Sequence, residues 1–160
     1  MKGRKIILTV TSIFVGFTAG VACVCRIYWK YRKSADEKMN RLRGYYSLLN
    51  QWLQLKQSGI SLEQYFIGHS YKTIAIYGLG ELGMRLQEEI KGSAVNIHCA
   101  IDKKAEEVYS DIKVYYPEHC PKDIDVIVVT PTFAFKKIEE ELSRYTDCPI
   151  ISLEEILFSL

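Results

Sequence analysis

Residues 73–86 read Thr-Ile-Ala-Ile-Tyr-Gly-Leu-Gly-Glu-Leu-Gly-Met-Arg-Leu, and this stretch decides the fold. Five strand-forming residues precede a glycine turn, and a helical run follows it. The turn has the G-x-G-x-x-G spacing, which brings backbone N–H groups close to a phosphate at the start of a helix. The stretch therefore predicts a nucleotide-binding site made of Gly78, Leu79, Gly80, Glu81, Leu82 and Gly83.

Strands and helices alternate from residue 72 onward. The sequence predicts strands over 73–77, 95–101, 113–116, 126–130 and 149–152, and helices over 81–91, 135–145 and 153–158. Alternation of this kind implies a parallel sheet that is covered on both faces. Right-handed crossovers favour the strand order 3-2-1-4-5. We therefore predict an α/β fold, a Rossmann-like parallel sheet of about five strands.

Two further side chains are candidates for the same site. Asp102 ends the second strand, 24 residues beyond the first glycine of the turn, where a carboxylate accepts hydrogen bonds from ribose hydroxyls. This favours NAD over a nucleotide with a 2′-phosphate, and Lys103 and Lys104 soften that preference. Thr130 opens a segment, 130–133, that borders the crevice beyond the fourth strand. A simple strand-to-helix connection explains that segment equally well.

Residues 6–25 form a run of twenty residues without a charged side chain. A helix of that length crosses the roughly 30 Å hydrocarbon core of a bilayer. Basic residues flank the run, more densely on its C-terminal side, and aromatic residues at 28–31 lie where an interfacial belt is expected. We therefore predict a single-pass helix in the cell membrane, with the lipid bilayer as a partner and the C-terminal domain in the cytoplasm. A cleaved signal peptide is the alternative interpretation.

The chain is accordingly divided into three predicted segments. These are a transmembrane anchor with basic flanks over 1–30, an amphipathic helical connector over 31–70 and a nucleotide-binding domain over 71–160. Within the anchor, Ser12, Gly16 and Gly20 recur every four residues, a spacing that lets two membrane helices approach closely and predicts a homodimer. Apolar residues at helical spacing in the connector predict packing on the following domain, with a short coiled coil as the alternative.

The sequence was also searched for nucleic-acid binding, for a catalytic tyrosine–lysine pair and for a metal site. The net charge of +2 gives no ground for nucleic acid as a partner. Tyr109 and Lys113 have the Tyr-x-x-x-Lys spacing of short-chain dehydrogenases, but they fall where a turn and a short strand are expected. His98 and Cys99 are neighbours on a strand and point to opposite faces, so they do not share a metal ion. We predict no catalytic residue and no metal site, and we leave enzymatic activity undecided.

Residues 76–83 (Ile-Tyr-Gly-Leu-Gly-Glu-Leu-Gly) and 100–104 (Ala-Ile-Asp-Lys-Lys) together resemble a known domain. It is the Rossmann-like region behind the membrane helices of nucleotide-sugar dehydratases and epimerases of bacterial capsule and polysaccharide synthesis. The N-terminal domain of nucleotide-sugar acyltransferases of the sialic-acid and bacillosamine type is similar. The resemblance covers roughly residues 70–152. It implies that NAD or a nucleotide sugar is bound by Gly78, Gly80, Gly83 and Asp102.

In those families a separate catalytic domain follows, and none is recognised in these 160 residues. We therefore expect a membrane-anchored cytoplasmic module that binds NAD or a nucleotide sugar and acts on a glycan-assembly enzyme in surface polysaccharide biosynthesis. One alternative is a small oxidoreductase or nucleotide-sugar-modifying subunit that dimerisation completes. The other is a structural adaptor with a vestigial pocket.

Overall fold

The computed structural model describes residues 2–160, giving the backbone alone for residues 2–19 and residue 22. The chain divides into two compact units, Met1–Gly44 and Tyr45–Leu160. Helix α1 spans Lys2–Gln57 and ends just before Gly59, whose φ of +74° is a left-handed conformation that glycine adopts without strain. The helical connector predicted over 31–70 is thus, as far as Gln57, the C-terminal part of a longer helix.

The membrane prediction requires correction. In the portion of the chain that the structure describes, no helix has the length and apolar character needed to cross a membrane. This finding contradicts the predicted transmembrane helix and the predicted single-pass location in the cell membrane. The bilayer as a partner is not tested by it and stays a prediction. From Arg26 to Arg43, beyond the predicted span, α1 carries a charged side chain in every turn, so this part of the helix is too polar to lie within a bilayer. The side chains of residues 6–19, including Ser12 and Gly16 of the predicted dimer stripe, lie outside the described residues, and Gly20 is exposed.

The second unit is built on a five-stranded parallel sheet. Its strands are β1 Thr73–Tyr77, β2 Asn96–Ile101, β3 Val114–Tyr115, β4 Val126–Val129 and β5 Ile150–Ser152. Its further helices are α2 Glu63–Gly68, α3 Glu81–Ile90, α4 Phe135–Leu142 and α5 Leu153–Ser159. The strand order is β3-β2-β1-β4-β5, so the predicted α/β class and strand order are confirmed.

Apolar residues fill the space on both faces of this sheet. All four residues of β4 are buried, as expected for a strand covered on both sides. One face packs against α1, α2, α3 and α5, and its core contains Leu48, Phe66, Ile76, Leu86 and Ile156. The other face packs against α4, and its core contains Cys99, Ile127, Ile138 and Leu142. Packing on both faces of the sheet therefore fixes the positions of the strand ends.

The C-terminal part of α1 belongs to the core of the second unit. Trp52 is 7% exposed, and its indole N–H donates to Oε2 of Glu89 on α3 at 2.7 Å. Oε1 of Glu89 accepts the backbone N–H of Leu62 at 3.1 Å and lies 3.1 Å from the Lys56 ammonium. Gln51 donates to the carbonyl oxygen of Leu157 in α5. These contacts join α1 to α3, to α5 and to the start of α2.

Candidate functional site

The carboxyl ends of three neighbouring strands meet at one edge of the sheet. Tyr77 at the end of β1 is in register with Ile101 of β2 and with Val129 of β4. The residues that follow these three are predicted binding residues, Gly78, Asp102 and Thr130. Strand β2 lies on one side of β1 and strand β4 lies on the other, so the strand order reverses at β1. Open parallel sheets bind their ligands at the carboxyl ends of the strands beside such a reversal.

Gly78 makes the sharp turn that leaves the sheet. Its φ is +87°, a conformation that side chains disfavour, and its N–H donates to the carbonyl oxygen of Ile101 at 2.9 Å. A Cβ atom on residue 78 would lie 3.0 Å from two ring carbons of Pro131 and 3.2 Å from the Thr130 hydroxyl. Both the backbone conformation and the close packing therefore require glycine at this position.

Gly83 lets helix α3 pack against the turn. A Cβ atom on residue 83 would lie 2.2 Å from the carbonyl oxygen of Gly78 and 3.1 Å from its carbonyl carbon. Real Cβ atoms do not approach backbone atoms so closely, because van der Waals repulsion rises steeply at such distances. The third glycine of the motif therefore sets how near the helix start comes to β1.

Gly80 leaves the start of α3 open. It is the N-cap residue, and no side chain caps the helix. A Cβ atom on residue 80 would meet no atom within 4 Å. Within the described part of the chain, no protein acceptor takes a hydrogen bond from the backbone N–H groups of residues 79–83. A run of free N–H groups at a helix start is an arrangement that binds anions, because the helix dipole adds to their positive charge.

The side chains of the turn are buried at Leu79 and Leu82 and exposed at Glu81. Leu79 and Leu82 are each 8% exposed and pack in the core beneath α3. Glu81, whose carboxylate in the first helical turn would repel a phosphate at close range, is exposed. The backbone is therefore the part of residues 78–83 that an anionic ligand would contact.

Thr130 holds the turn from the neighbouring strand. It is 3% exposed, and its hydroxyl donates to the carbonyl oxygen of Gly78 at 2.7 Å, with the carbonyl oxygen of Tyr77 at 3.2 Å. A hydroxyl has a single proton to donate, so this donor is already engaged within the protein. Contact of Thr130 with a ligand stays a prediction, and the structure shows its role in positioning Gly78.

Asp102 lies beside the turn with part of its carboxylate engaged. Its Oδ1 accepts the backbone N–H of Lys104 at 2.9 Å, and its own N–H donates to Tyr115. The two following lysines form ion pairs, Lys103 with Glu141 and Lys104 with Glu107. Both ammonium groups thus have carboxylate partners, which weakens the expectation that they favour a 2′-phosphate.

Two surface clefts contain residues of the glycine turn or of the segment after β4. One, of about 420 Å³, is lined by Leu79 of the turn together with Met84, Gln87 and the segment 109–111. The other, of about 660 Å³, is lined by residues 132–137 with Ser152 and the start of α5. Phe133 in the second cleft is 53% exposed, and its ring packs edge-on against Tyr45 with centroids 5.8 Å apart.

The residues considered for catalysis or metal binding are dispersed. Tyr109 is fully exposed and Lys113 lies outside any helix, with its ammonium over the ring of Tyr115. Among the described residues, no three His, Cys, Asp or Glu side chains are grouped to hold a metal ion. Burial raises the pKa of Tyr77, the tyrosine nearest the turn in sequence, to about 12, and the charges of Glu141 and Asp102 add to the shift. Tyr77 therefore keeps its proton at neutral pH.

Sequence reasoning missed two residues that shape the site. Pro131 packs on Gly78 and closes one side of the turn. Glu141 comes from α4 to pair with Lys103. The run of carboxylates at 139–141 is typical of a solvated helix face. The sequence does not indicate which of them pairs with a lysine 38 residues away.

No family model, no curated protein and no solved structure matches the chain. The resemblance to the Rossmann-like domains of nucleotide-sugar enzymes therefore stays a prediction.

Proposed function

We propose that the unit Tyr45–Leu160 is a binding module for a nucleotide that carries a diphosphate, either NAD or a nucleotide sugar. The observation that carries the proposal is the row of free backbone N–H groups over residues 79–83, at a helix start that no side chain caps. A capping serine, threonine or aspartate would accept a hydrogen bond from one of these donors within the protein. Glycine at the N-cap leaves them to a ligand.

The neighbouring residues fit the same ligand. Gly78 and Gly83 let the strand, the turn and the helix come together, and the space above Gly80 is open to a phosphate group. Asp102 on the adjacent strand has its Oδ1 engaged with Lys104, which leaves Oδ2 for a ribose hydroxyl. The carboxylate, beside lysines that are already paired, favours NAD over NADP.

Binding without turnover is the form of this proposal that the residues support best. A reaction requires a nucleophile, acid or base near the bound ligand. The nearest strand tyrosine, Tyr77, has a pKa of about 12, and Tyr109 lies on an exposed loop. The resemblance to nucleotide-sugar enzymes makes a glycan-assembly enzyme the partner that the bound state would regulate.

Thermal unfolding of the full chain with NAD, NADP and several nucleotide sugars tests the proposal. A ligand present at 100 times its dissociation constant stabilises the folded state by about 2.7 kcal/mol, a clear upward shift in melting temperature. Gly80→Val should remove this shift, because the new side chain fills the space that a phosphate needs. Gly44→Val, at a glycine that also has no neighbour within 4 Å, is the matched control and should keep it.

Two results would contradict the proposal. If none of these ligands shifts the melting temperature of the wild-type chain, the adaptor alternative is favoured. If a ligand shifts Gly80→Val as much as wild type, it binds elsewhere on the protein.

A further inference from the structure

One ion pair joins the two sides of the candidate site. The Lys103 ammonium, on the segment that follows β2, lies 2.5 Å from Oε2 of Glu141 on α4. Strands β2 and β4 are the neighbours of β1 on its two sides, and α4 is the helix that follows β4. The pair therefore connects the segments that leave the sheet on either side of the strand that carries the glycine turn.

Glu141 brings its charge to the same strand end as Asp102. Burial raises the pKa of Tyr77, the last residue of β1, to about 12, and the charges of Glu141 and Asp102 both add to the shift. Charges act on a titrating group at short range, because salt screens them beyond about 10 Å. Lys103 follows Asp102 directly in the chain. The proposed ribose acceptor, the lysine and Glu141 therefore lie close together at the end of β1.

The other lysine beside Asp102 is held differently. Lys104 pairs with Glu107 in its own loop, and the two side chains are 69% and 68% exposed. Solvent strongly screens a pair of this kind. Glu141 is 28% exposed and belongs to a helix 38 residues further along the chain from Lys103. The position of the Lys103 ammonium therefore depends on tertiary structure.

A lysine at this place has a consequence for the ligand. In nucleotide sites at a strand–glycine turn–helix unit, a carboxylate accepts the ribose 2′-hydroxyl, whereas a nearby cation accommodates a 2′-phosphate. Lys103, next to Asp102, has the charge for the second role. The ion pair with Glu141 keeps that charge occupied within the protein.

We propose that Glu141 is a positioning residue that makes the site prefer a nucleotide without a 2′-phosphate, such as NAD, by holding the Lys103 ammonium on α4. This role rests on the proposed function and deepens it, because it makes the choice between NAD and NADP depend on a residue outside the glycine turn and Asp102. Removing the Glu141 charge releases Lys103 toward the ribose of the ligand. The site then accepts NADP as well as NAD.

Isothermal titration calorimetry of the full chain with NAD and with NADP measures the preference as a ratio of dissociation constants. The wild type should bind NAD about tenfold more tightly than NADP. Glu141→Gln should lower this ratio roughly fivefold, because the amide keeps the size of the side chain but no longer pairs with the lysine. Glu140→Gln, at the exposed neighbour on the same helix, makes the same change of net charge and should leave the ratio unchanged.

A double variant tests whether the effect passes through the lysine. In Glu141→Gln combined with Lys103→Gln there is no ammonium to release, so the NADP affinity gained by Glu141→Gln should be lost again. A structural disturbance of α4 would weaken NAD and NADP alike and would leave their ratio as in the wild type. The ratio therefore reports on the position of the lysine and not on the stability of the helix.

The results that would overturn this role can be told apart from failure of the proposed function. If the wild type binds NAD and Glu141→Gln has the same ratio as Glu140→Gln, the role of Glu141 fails and the binding module stands. The role also fails if the double variant keeps the raised affinity for NADP. A wild type that binds a nucleotide sugar but neither NAD nor NADP overturns the role alone, whereas a chain that binds none of these ligands overturns the proposed function with it.

Discussion

Gly83 approaches Gly78 so closely that a Cβ on residue 83 would lie 2.2 Å from the Gly78 carbonyl oxygen. Residue 83 is in the first turn of α3, and residue 78 is the first residue after β1. The helix start and the strand end are therefore in direct backbone contact.

Gly83→Ala should destabilise the fold by about 3 kcal/mol, because backbone atoms cannot move aside as a flexible side chain does. Urea unfolding followed by circular dichroism measures the change. Gly80→Ala, where the added methyl group meets nothing, should change the free energy of unfolding by less than about 1 kcal/mol. Equal effects of the two substitutions would show that the close contact does not exist in solution.

Thr130→Val should cost about 1–3 kcal/mol, because it removes the hydroxyl that donates to the buried Gly78 carbonyl and leaves the shape nearly unchanged. Thr130→Ser keeps the donor and should retain most of the stability. Chemical denaturation of the three proteins under one condition gives the comparison. A valine variant as stable as wild type would show that this hydrogen bond adds nothing to the stability of the fold.

Glu89→Gln should destabilise the protein by about 2–3 kcal/mol. The Glu89 side chain is 5% exposed and accepts hydrogen bonds from Trp52 and from Leu62, and an amide nitrogen would oppose one of these donors. The contribution of Lys56, which is 51% exposed, is small because solvent screens it. Glu88→Gln, one residue away and 67% exposed, is the control. A Glu89→Gln variant as stable as that control would contradict the prediction.

Asp125 should make stability depend on acid pH. Its carboxylate accepts the backbone N–H groups of Thr73 at 2.8 Å and Lys72 at 2.7 Å, and these hydrogen bonds lower its pKa below the ordinary value of 3.8. The stabilisation is therefore fully present above the unfolded-state pKa and is lost as pH falls through the lower folded-state pKa. Asp125→Asn should be less stable than wild type at pH 7, and the difference should shrink below pH 3.8.

Urea unfolding from pH 7 down to pH 2 measures this dependence. Asp123→Asn, at an exposed aspartate two residues earlier, serves as the control. A difference between Asp125→Asn and wild type that stays constant over this range would show that the hydrogen bonds to the backbone do not favour the ionised form.

Cys99 should resist alkylation in the folded protein. It is fully buried, and burial raises the pKa of its thiol to about 12, with Cys120 nearby adding to the shift. Reagents such as iodoacetamide attack the thiolate, which is scarce at pH 8 for such a thiol. Mass spectrometry of the labelled chain should show modification first at the exposed Cys23 and Cys25, and at Cys99 only after unfolding. Early labelling of Cys99 would mean that this face of the sheet opens readily.

Local patterns were sufficient to predict the sheet. The run 73–77 forms a strand with the predicted bounds, and the order β3-β2-β1-β4-β5 follows from alternating strands and helices joined by right-handed crossovers. Predicted ends were too long for β3, which forms over Val114–Tyr115 alone, and for α4, which stops at Leu142. Residue preferences locate an element, but hydrogen bonds to a neighbouring strand or to the preceding turn decide where it ends.

The sequence by itself therefore determined the class of fold, the strand order and the place of the glycine turn, because these depend on short-range spacing and on chain handedness. The tertiary structure alone decided that the Thr130 hydroxyl donates to the Gly78 carbonyl and that Glu89 joins α1 to α3. Thr130 and Gly78 are 52 positions apart, and Trp52 and Glu89 are 37 apart. Contacts at such separations depend on how whole helices and strands pack. The spacing of residue types along the chain does not indicate that packing.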